Sequence, residues 1–257
     1  MLLAIDIGNT KIALGVFQGE ELRATWSIAS GLHRLTDEYA AILLNLLPRQ
    51  GIDISQIHHA VLCSVVPPLI STFEELCQRY LEISPLAVEA GVKTGVRVST
   101  DNPREVGADR VVNSAAAYKL YGGPVIIIDL GTAMTFDVVS REGEYLGGAI
   151  APGMEIASEA LFMRTAKLPR VELERPKHAI GRNTVAAMQS GIIFGYIGLI
   201  ENIVARLRQE LGGKATTVAT GGQADIFIRE TKAIDIVNPH LTLIGLKLIY
   251  ELNSPGE

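Results

Sequence analysis

The chain has 257 residues, 48% of them hydrophobic and only 5% aromatic, with a formal net charge of −5 and a pI of about 5.6. That length holds two ordinary domains or one large one, and the aliphatic bias suits the buried sheets of an α/β enzyme. An acidic balance with no Lys/Arg cluster argues against nucleic acid as a partner.

The first apolar run, Leu2-Leu3-Ala4-Ile5, ends in Asp6. Ile7-Gly8-Asn9-Thr10 turns, and Lys11-Ile12-Ala13-Leu14 leads out into a second apolar run. A β-hairpin of this content has a tip of amides and hydroxyls able to hold phosphate, beside an acid able to hold a cation. Met1 enters this strand without a basic segment or cleavage site, so no secretory signal is expected. Glu20 to Ile28 alternates Leu22, Ala24, Trp26 and Ile28 with polar neighbours, a third strand with one solvated face. Thr36-Asp37-Glu38 is expected to open a helix, with Thr36 as its cap and Pro48 as its stop. His59 to Val66 reads as a strand broken by Pro67-Pro68, and a helix carrying Leu69, Phe73, Leu76, Cys77 and Tyr80 follows. Cys63 and Cys77 lie in apolar contexts without metal spacing, so both are expected as buried, reduced thiols. The pair His58-His59 makes a poor metal site, because adjacent strand residues point to opposite faces and no third ligand is near.

Ser99 to Arg110 packs Asp101, Arg104, Glu105, Asp109 and Arg110 around Pro103 and Gly107, then becomes a helix from Val111. By the residues alone, acids at a helix N-terminus and an Arg110 pair with Glu105 or Asp101 account for it. Val125 to Asp137 then repeats the opening pattern as Asp129-Leu130-Gly131-Thr132-Ala133-Met134-Thr135. Asp6 matches Asp129 and Gly8 matches Gly131, each at an offset of 123 residues (129 − 6, 131 − 8). Gly147-Gly148 and Pro152-Gly153 bracket a short apolar segment, consistent with two turns or with close approach of a ligand or another strand. Met154 to Met163 reads as a helix and Pro169 to His178 as a polar connector.

Asn183-Thr184 opens the longest helix, reaching about Leu211. Its apolar stretch from Gly191 to Ala205 is interrupted by Glu201 and Asn202, so a membrane span of about 20 residues is not expected. Gly191, Gly195 and Gly198 lie near one face, where glycines imply close approach of another backbone, either a second subunit or the chain's own sheet. Thr216 to Ala219 is a strand ending in Thr220-Gly221-Gly222-Gln223, a turn into a helix that suits a flat ligand.

Two Asp-x-Gly-Asn/Thr hairpins followed by Thr-Gly-Gly resemble the actin, sugar-kinase and heat-shock-chaperone ATPase superfamily. That resemblance implies an α/β fold of two related ribonuclease H-like domains, expected at 1–117 and 118–257, each a mixed sheet flanked by helices, with an ATP cleft between them. The narrower resemblance is to the type III pantothenate kinases, and Gly107-Ala108-Asp109-Arg110 is its discriminating element. It implies ATP-dependent phosphorylation of pantothenate in a cytoplasmic homodimer without nucleic acid or membrane. Asp6, Ile7, Gly8, Asn9, Thr10, Lys11, Ile12 and Ala13 resemble the first ATP phosphate hairpin, with Asp6 near Mg²⁺ through water. Thr132 resembles the second ATP contact, and Asp129 the acid that binds a monovalent cation, potassium or ammonium. Gly107, Ala108, Asp109 and Arg110 resemble the pantothenate site, with Asp109 as general base and Thr184 as a contact from the partner subunit. One departure stands out: Thr100 occupies the position of the family's usual tyrosine. Alternative readings are a kinase of another small alcohol and a non-catalytic regulatory factor.

Overall fold

The computed structural model describes residues 1–254, apart from the side chain of Asp225. In chain order its elements are β1 (Leu2–Ile7), β2 (Lys11–Gln18), β3 (Glu21–Ala29), α1 (Thr36–Leu46), β4 (His59–Ser64), α2 (Pro67–Tyr80), β5 (Leu86–Ala87), β6 (Arg97–Val98), α3 (Ala108–Tyr121), β7 (Val125–Leu130), β8 (Ala133–Val139), β9 (Glu144–Pro152), α4 (Met154–Arg164), α5 (Thr184–Glu210), β10 (Thr216–Thr220), α6 (Ala224–Ile228), β11 (Ile236–Val237) and α7 (Leu241–Asn253). They form two compact units. One comprises Met1–Arg97, Asp101–Ala116 and the segment from Leu241, the other Val98–Thr100 and Ala117–His240.

In the first unit the sheet order is β3-β2-β1-β4-β5, with β1 antiparallel to β2 and parallel to β4. Both faces of β1 are covered, which explains its near-continuous apolar run. Leu3, Ile5 and Ile7 pack with Tyr39 and Leu43 of α1 and with Leu69 and Phe73 of α2. Leu2, Ala4, Val61 and Cys63 pack on the opposite face with Val112 and Ala115 of α3 and Leu243, Leu246 and Ile249 of α7. Because strand side chains alternate, Asp6 projects toward this second face.

In the second unit the order β9-β8-β7-β10-β11 repeats that plan, with β6 added beyond β9. Ile126, Ile128 and Leu130 pack against Met188, Ile192, Ile193 and Ile200 of α5. Asp129 alternates to the other face.

Three local expectations differ from the structure, and one open between two readings is decided by it. α7, placed by the sequence in 118–257, belongs to the first unit. Its apolar stripe covers β1 and β4, and Gly245 lets α7 meet α3 so closely that a Cβ there would stand 2.4 Å from the Val112 carbonyl oxygen. Leu35, not Thr36, caps α1: the Leu35 N–H donates to Glu38 Oε2 at 2.8 Å, while the Thr36 hydroxyl donates to Glu75 Oε2 of α2 at 2.7 Å. The glycines at 147 and 148 lie inside the continuous strand β9. A Cβ at Gly148 would stand 1.6 Å from the Phe136 carbonyl oxygen, so close strand approach, one of the alternatives the sequence leaves open, is the reason for that glycine, while Gly147 takes a φ of +107°. Finally, α5 is, by length and composition, apolar enough to cross a membrane, its most apolar 18-residue window having a mean hydropathy of 1.3. Its buried stripe nevertheless packs on the second sheet as a core helix does.

Candidate active site

The opening hairpin forms as its sequence requires. β1 and β2 pair Asp6 with Ala13 and Ile7 with Ile12, and the Gly8 N–H closes the tip on the Lys11 carbonyl at 3.0 Å. Asn9, Thr10 and Lys11 are exposed at that tip, whereas Ile7 and Ile12 anchor it in the core and Ala13 is half-buried. The parallel register sets Cys63 of β4 beside Asp6, and the Cys63 thiol donates to Asp6 Oδ1 at 3.4 Å. The thiol is fully buried. Burial first, then the charges of Asp6 and Asp109, push its pKa well up, so it stays protonated and serves as a donor.

Asp109 enters the same neighbourhood from the N-terminus of α3. The N–H groups of Arg110 and Val111 close the first turn on the Gly107 carbonyl, at 3.1 and 3.3 Å. Asp109 Oδ1 accepts the Arg110 backbone N–H at 2.8 Å. A Cβ on Gly107 would lie 2.6 Å from that same oxygen, so glycine there leaves room for the carboxylate. The first turn of a helix favours an ionised acid, but burial is the larger influence. It pushes the Asp109 carboxyl above its ordinary range, against the lowering effect of the Arg110 N–H, the Arg110 charge and its own backbone N–H. A stronger base results.

The second unit repeats the hairpin with one residue fewer. β7 and β8 pair Asp129 with Thr135 and Leu130 with Met134, leaving three residues in the turn where four separate Ile7 from Ile12. The 123-residue correspondence therefore ends after the glycine. Thr132 is exposed at this tip. Gly153 braces it: its N–H donates to the Thr132 carbonyl at 3.0 Å, and a Cβ there would lie 2.3 and 2.4 Å from the Thr132 and Gly131 oxygens. Gly153→Ala is expected to lower stability by about 3 kcal/mol, a fall of several degrees in Tm checked by thermal unfolding. Behind the tip, β10 pairs Thr220 with Asp129. Gly221, at φ +92°, runs so close that a Cβ would stand 2.6 Å from the Leu130 carbonyl and 2.8 Å from Asp129 Oδ1. The Leu130 carbonyl and Asp129 Oδ1 thus leave no room for a side chain at Gly221.

Among the described residues no three His, Cys, Asp or Glu side chains group as a metal cage. A single carboxylate such as Asp6 fits Mg²⁺, which keeps several waters and takes its other ligands from nucleotide phosphates.

Thr184 stands at the start of α5, where Asn183 caps the helix by accepting the Ala186 N–H at 2.8 Å. It borders an apolar groove of about 550 Å³ between α4 and α5, lined also by Ala157, Leu161, Met188, Gly191 and Tyr196. A Cβ at Gly191, Gly195 or Gly198 would meet nothing within 4 Å. Packing on the chain's own sheet is therefore not the reason for these glycines.

The family model described as type III pantothenate kinase matches residues 2–206. The chain belongs to the type III pantothenate kinase family. A member from Moorella thermoacetica (strain ATCC 39073 / JCM 9320) is 55% identical over 254 residues, covering 99% of this chain and 100% of that one. A member from Dehalococcoides mccartyi (strain CBDB1) is 53% identical over 253 residues, covering 98% and 96%. Among solved structures, a conserved putative Baf family transcriptional activator from Campylobacter jejuni superposes with a TM-score of 0.59 at 19% identity, covering 98% of each chain. The activator of 2-hydroxyisocaproyl-CoA dehydratase from Clostridium difficile gives 0.53 at 13% identity, covering 100% of this chain and 99% of that one. At those identities the structures speak for the actin-like ATPase fold alone.

The Gly107–Arg110 element thus opens the helix that packs on the face of the first sheet toward which Asp6 projects, and Cys63 on that face bonds to Asp6. Asp129, Thr132 and the Thr220-Gly221 turn are gathered in the other unit, and Thr184 borders the groove on α5. Sequence reasoning missed Cys63 and the bracing role of Gly153. Strand register would have pointed to the first, since Cys63 falls opposite Asp6 once β1 and β4 are aligned.

Proposed function

We propose that this chain transfers the γ-phosphoryl group of ATP to the hydroxyl of pantothenate, the first step of coenzyme A synthesis, with Asp109 as general base. The observation carrying this reading is that Asp109 opens the helix α3, which packs on the same face of the first sheet toward which Asp6 projects. A raised-pKa base and the acid of a phosphate hairpin share one face of one sheet.

An alcohol is a poor nucleophile at neutral pH, and a carboxylate in reach takes its proton as it attacks. The hydroxyl oxygen bonds to the γ-phosphorus, the bond to the bridging oxygen of ADP breaks, and that oxygen keeps the electron pair. Phosphoryl transfer otherwise needs position and neutralised charge. Polar groups of the exposed tip, Asn9 to Lys11, hold phosphate oxygens on the Gly8 to Ala13 hairpin, and Asp6 would hold the hydration shell of the Mg²⁺ that accompanies ATP. Lys11 reaches a phosphate from the exposed tip. Arg110 grips the pantothenate carboxylate, for which a planar two-donor fork is suited. Thr132 gives the second ATP contact, and Asp129 holds potassium or ammonium. The protein acts in the cytoplasm as a homodimer, with Thr184 of the partner subunit completing the pantothenate site. Its ligands are small molecules, neither nucleic acid nor membrane. The open glycine face of α5 and the apolar groove beside it support the dimer.

The test is an assay with ATP, Mg²⁺ and pantothenate in potassium and in sodium buffers. Phosphopantothenate is expected in potassium, at a rate at least severalfold lower in sodium. Indifference to the swap removes Asp129 from its cation role, and absence of product in both buffers overturns the reading.

A further inference from the structure

We propose that Cys63 is a positioning residue for Asp6: its S–H fixes the carboxylate that serves Mg²⁺-ATP. This rests on the reading of Asp6 given above. Cys63 is fully buried on the face of β4 that packs with α3 and α7, where its neighbour at the next inward position is Val61. An apolar side chain would satisfy that core equally well. Instead the position carries a donor, and the donor lies 3.4 Å from Asp6 Oδ1, on the strand that pairs Asp6 with Cys63 in register.

The second unit supports the inference independently. There the corresponding parallel strand pairs Asp129 with Thr220, which is 2% exposed and also carries a hydroxyl donor, on the face of β10 it shares with the buried Val218. The duplicated fold thus sets a small, buried, donor-bearing side chain in register with the hairpin acid twice. A carboxylate held through one oxygen loses rotamer freedom before the cation arrives, which lowers the entropy of ordering on binding.

Three variants test this: Cys63→Val removes the donor and keeps the bulk, Cys63→Ser keeps a donor, and Asp6→Asn removes the acid. Cys63→Val is expected to raise the Mg²⁺ concentration for half-maximal rate about tenfold, with the pantothenate KM changed less than twofold and Tm nearly unchanged. Cys63→Ser should recover most of the loss. If Cys63→Val does not fold, Cys63→Ala supplies the donor-free comparison. Wild-type Mg²⁺ dependence in the folded donor-free variant overturns the proposal. So does equal impairment of the serine variant, or a pantothenate KM that moves as far as the Mg²⁺ requirement. Asp6→Asn separates the two levels. If it keeps wild-type Mg²⁺ dependence, the reading of Asp6 itself fails; if it loses that dependence while Cys63→Val does not, only the positioning role falls.

Discussion

Asp109→Asn is expected to lower kcat by about 10²- to 10⁴-fold without loss of stability. The two halves of this prediction come from the same burial. As general base, Asp109 must be ionised, and asparagine cannot take the hydroxyl proton. As a folded-state group, Asp109 has its pKa raised by burial above the ordinary carboxyl value, despite the Arg110 N–H and charge that oppose the shift. A carboxyl whose folded pKa is raised stabilises the fold below its unfolded pKa, and that contribution disappears as pH rises through the folded pKa. At neutral pH the ionised side chain therefore works against folding. Asparagine removes the charge, and its Oδ1 can still accept the Arg110 N–H that Asp109 Oδ1 accepts at 2.8 Å. Tm should stay level or rise, the pattern of a residue kept for activity rather than stability. The acid limb of the wild-type pH–rate profile should also lie above the range of an ordinary carboxylate. Retained activity removes Asp109 as base, and a clear fall in Tm shows that its charge stabilises the fold.

The hairpins were legible because their demands are local. An apolar run, an acid and a small polar turn fix both where the strand ends and which way it returns. Pro67-Pro68 likewise both broke a strand and began α2, since proline suits the first helical positions. What escaped was set by distant partners. Beyond the helix that follows the Thr220 turn no element is read from the sequence, and nothing local says that Leu243, Leu246 and Ile249 of α7 cover the first sheet. Thr36 is a good cap by type, yet Glu75 of α2 claims its hydroxyl. At Gly148 turn and close approach stayed open, because sequence does not show the neighbouring backbone of Phe136 that excludes a side chain. The role of Cys63 depended on strand register, and the extra residue in the first hairpin was hidden behind matching acids and glycines.

Gly191→Leu separates two stabilities that usually move together. Within one chain the substitution should be accepted: a Cβ at Gly191 meets nothing within 4 Å, and the residue is exposed on α5. Leucine is also the better helix former, by somewhat less than the roughly 0.8–1 kcal/mol that separates alanine from glycine, so the isolated subunit should become slightly more stable. At a dimer interface the same change acts in reverse. Glycines four and three residues apart let another backbone approach closely, and an isobutyl group at one of them holds it away. Because Gly191 and Thr184 border the same groove, the proposed role of Thr184 in the partner's pantothenate site predicts that loosening this contact also weakens pantothenate binding. Analytical ultracentrifugation is expected to show a dimer dissociation constant at least about tenfold higher, and kinetics a higher pantothenate KM with the ATP KM little changed. Gly191→Ala, with a smaller side chain, should fall between. An intact dimer in Gly191→Leu sinks the interface assignment for this face. Dissociation with an unchanged pantothenate KM sinks the role of Thr184 while leaving the interface in place.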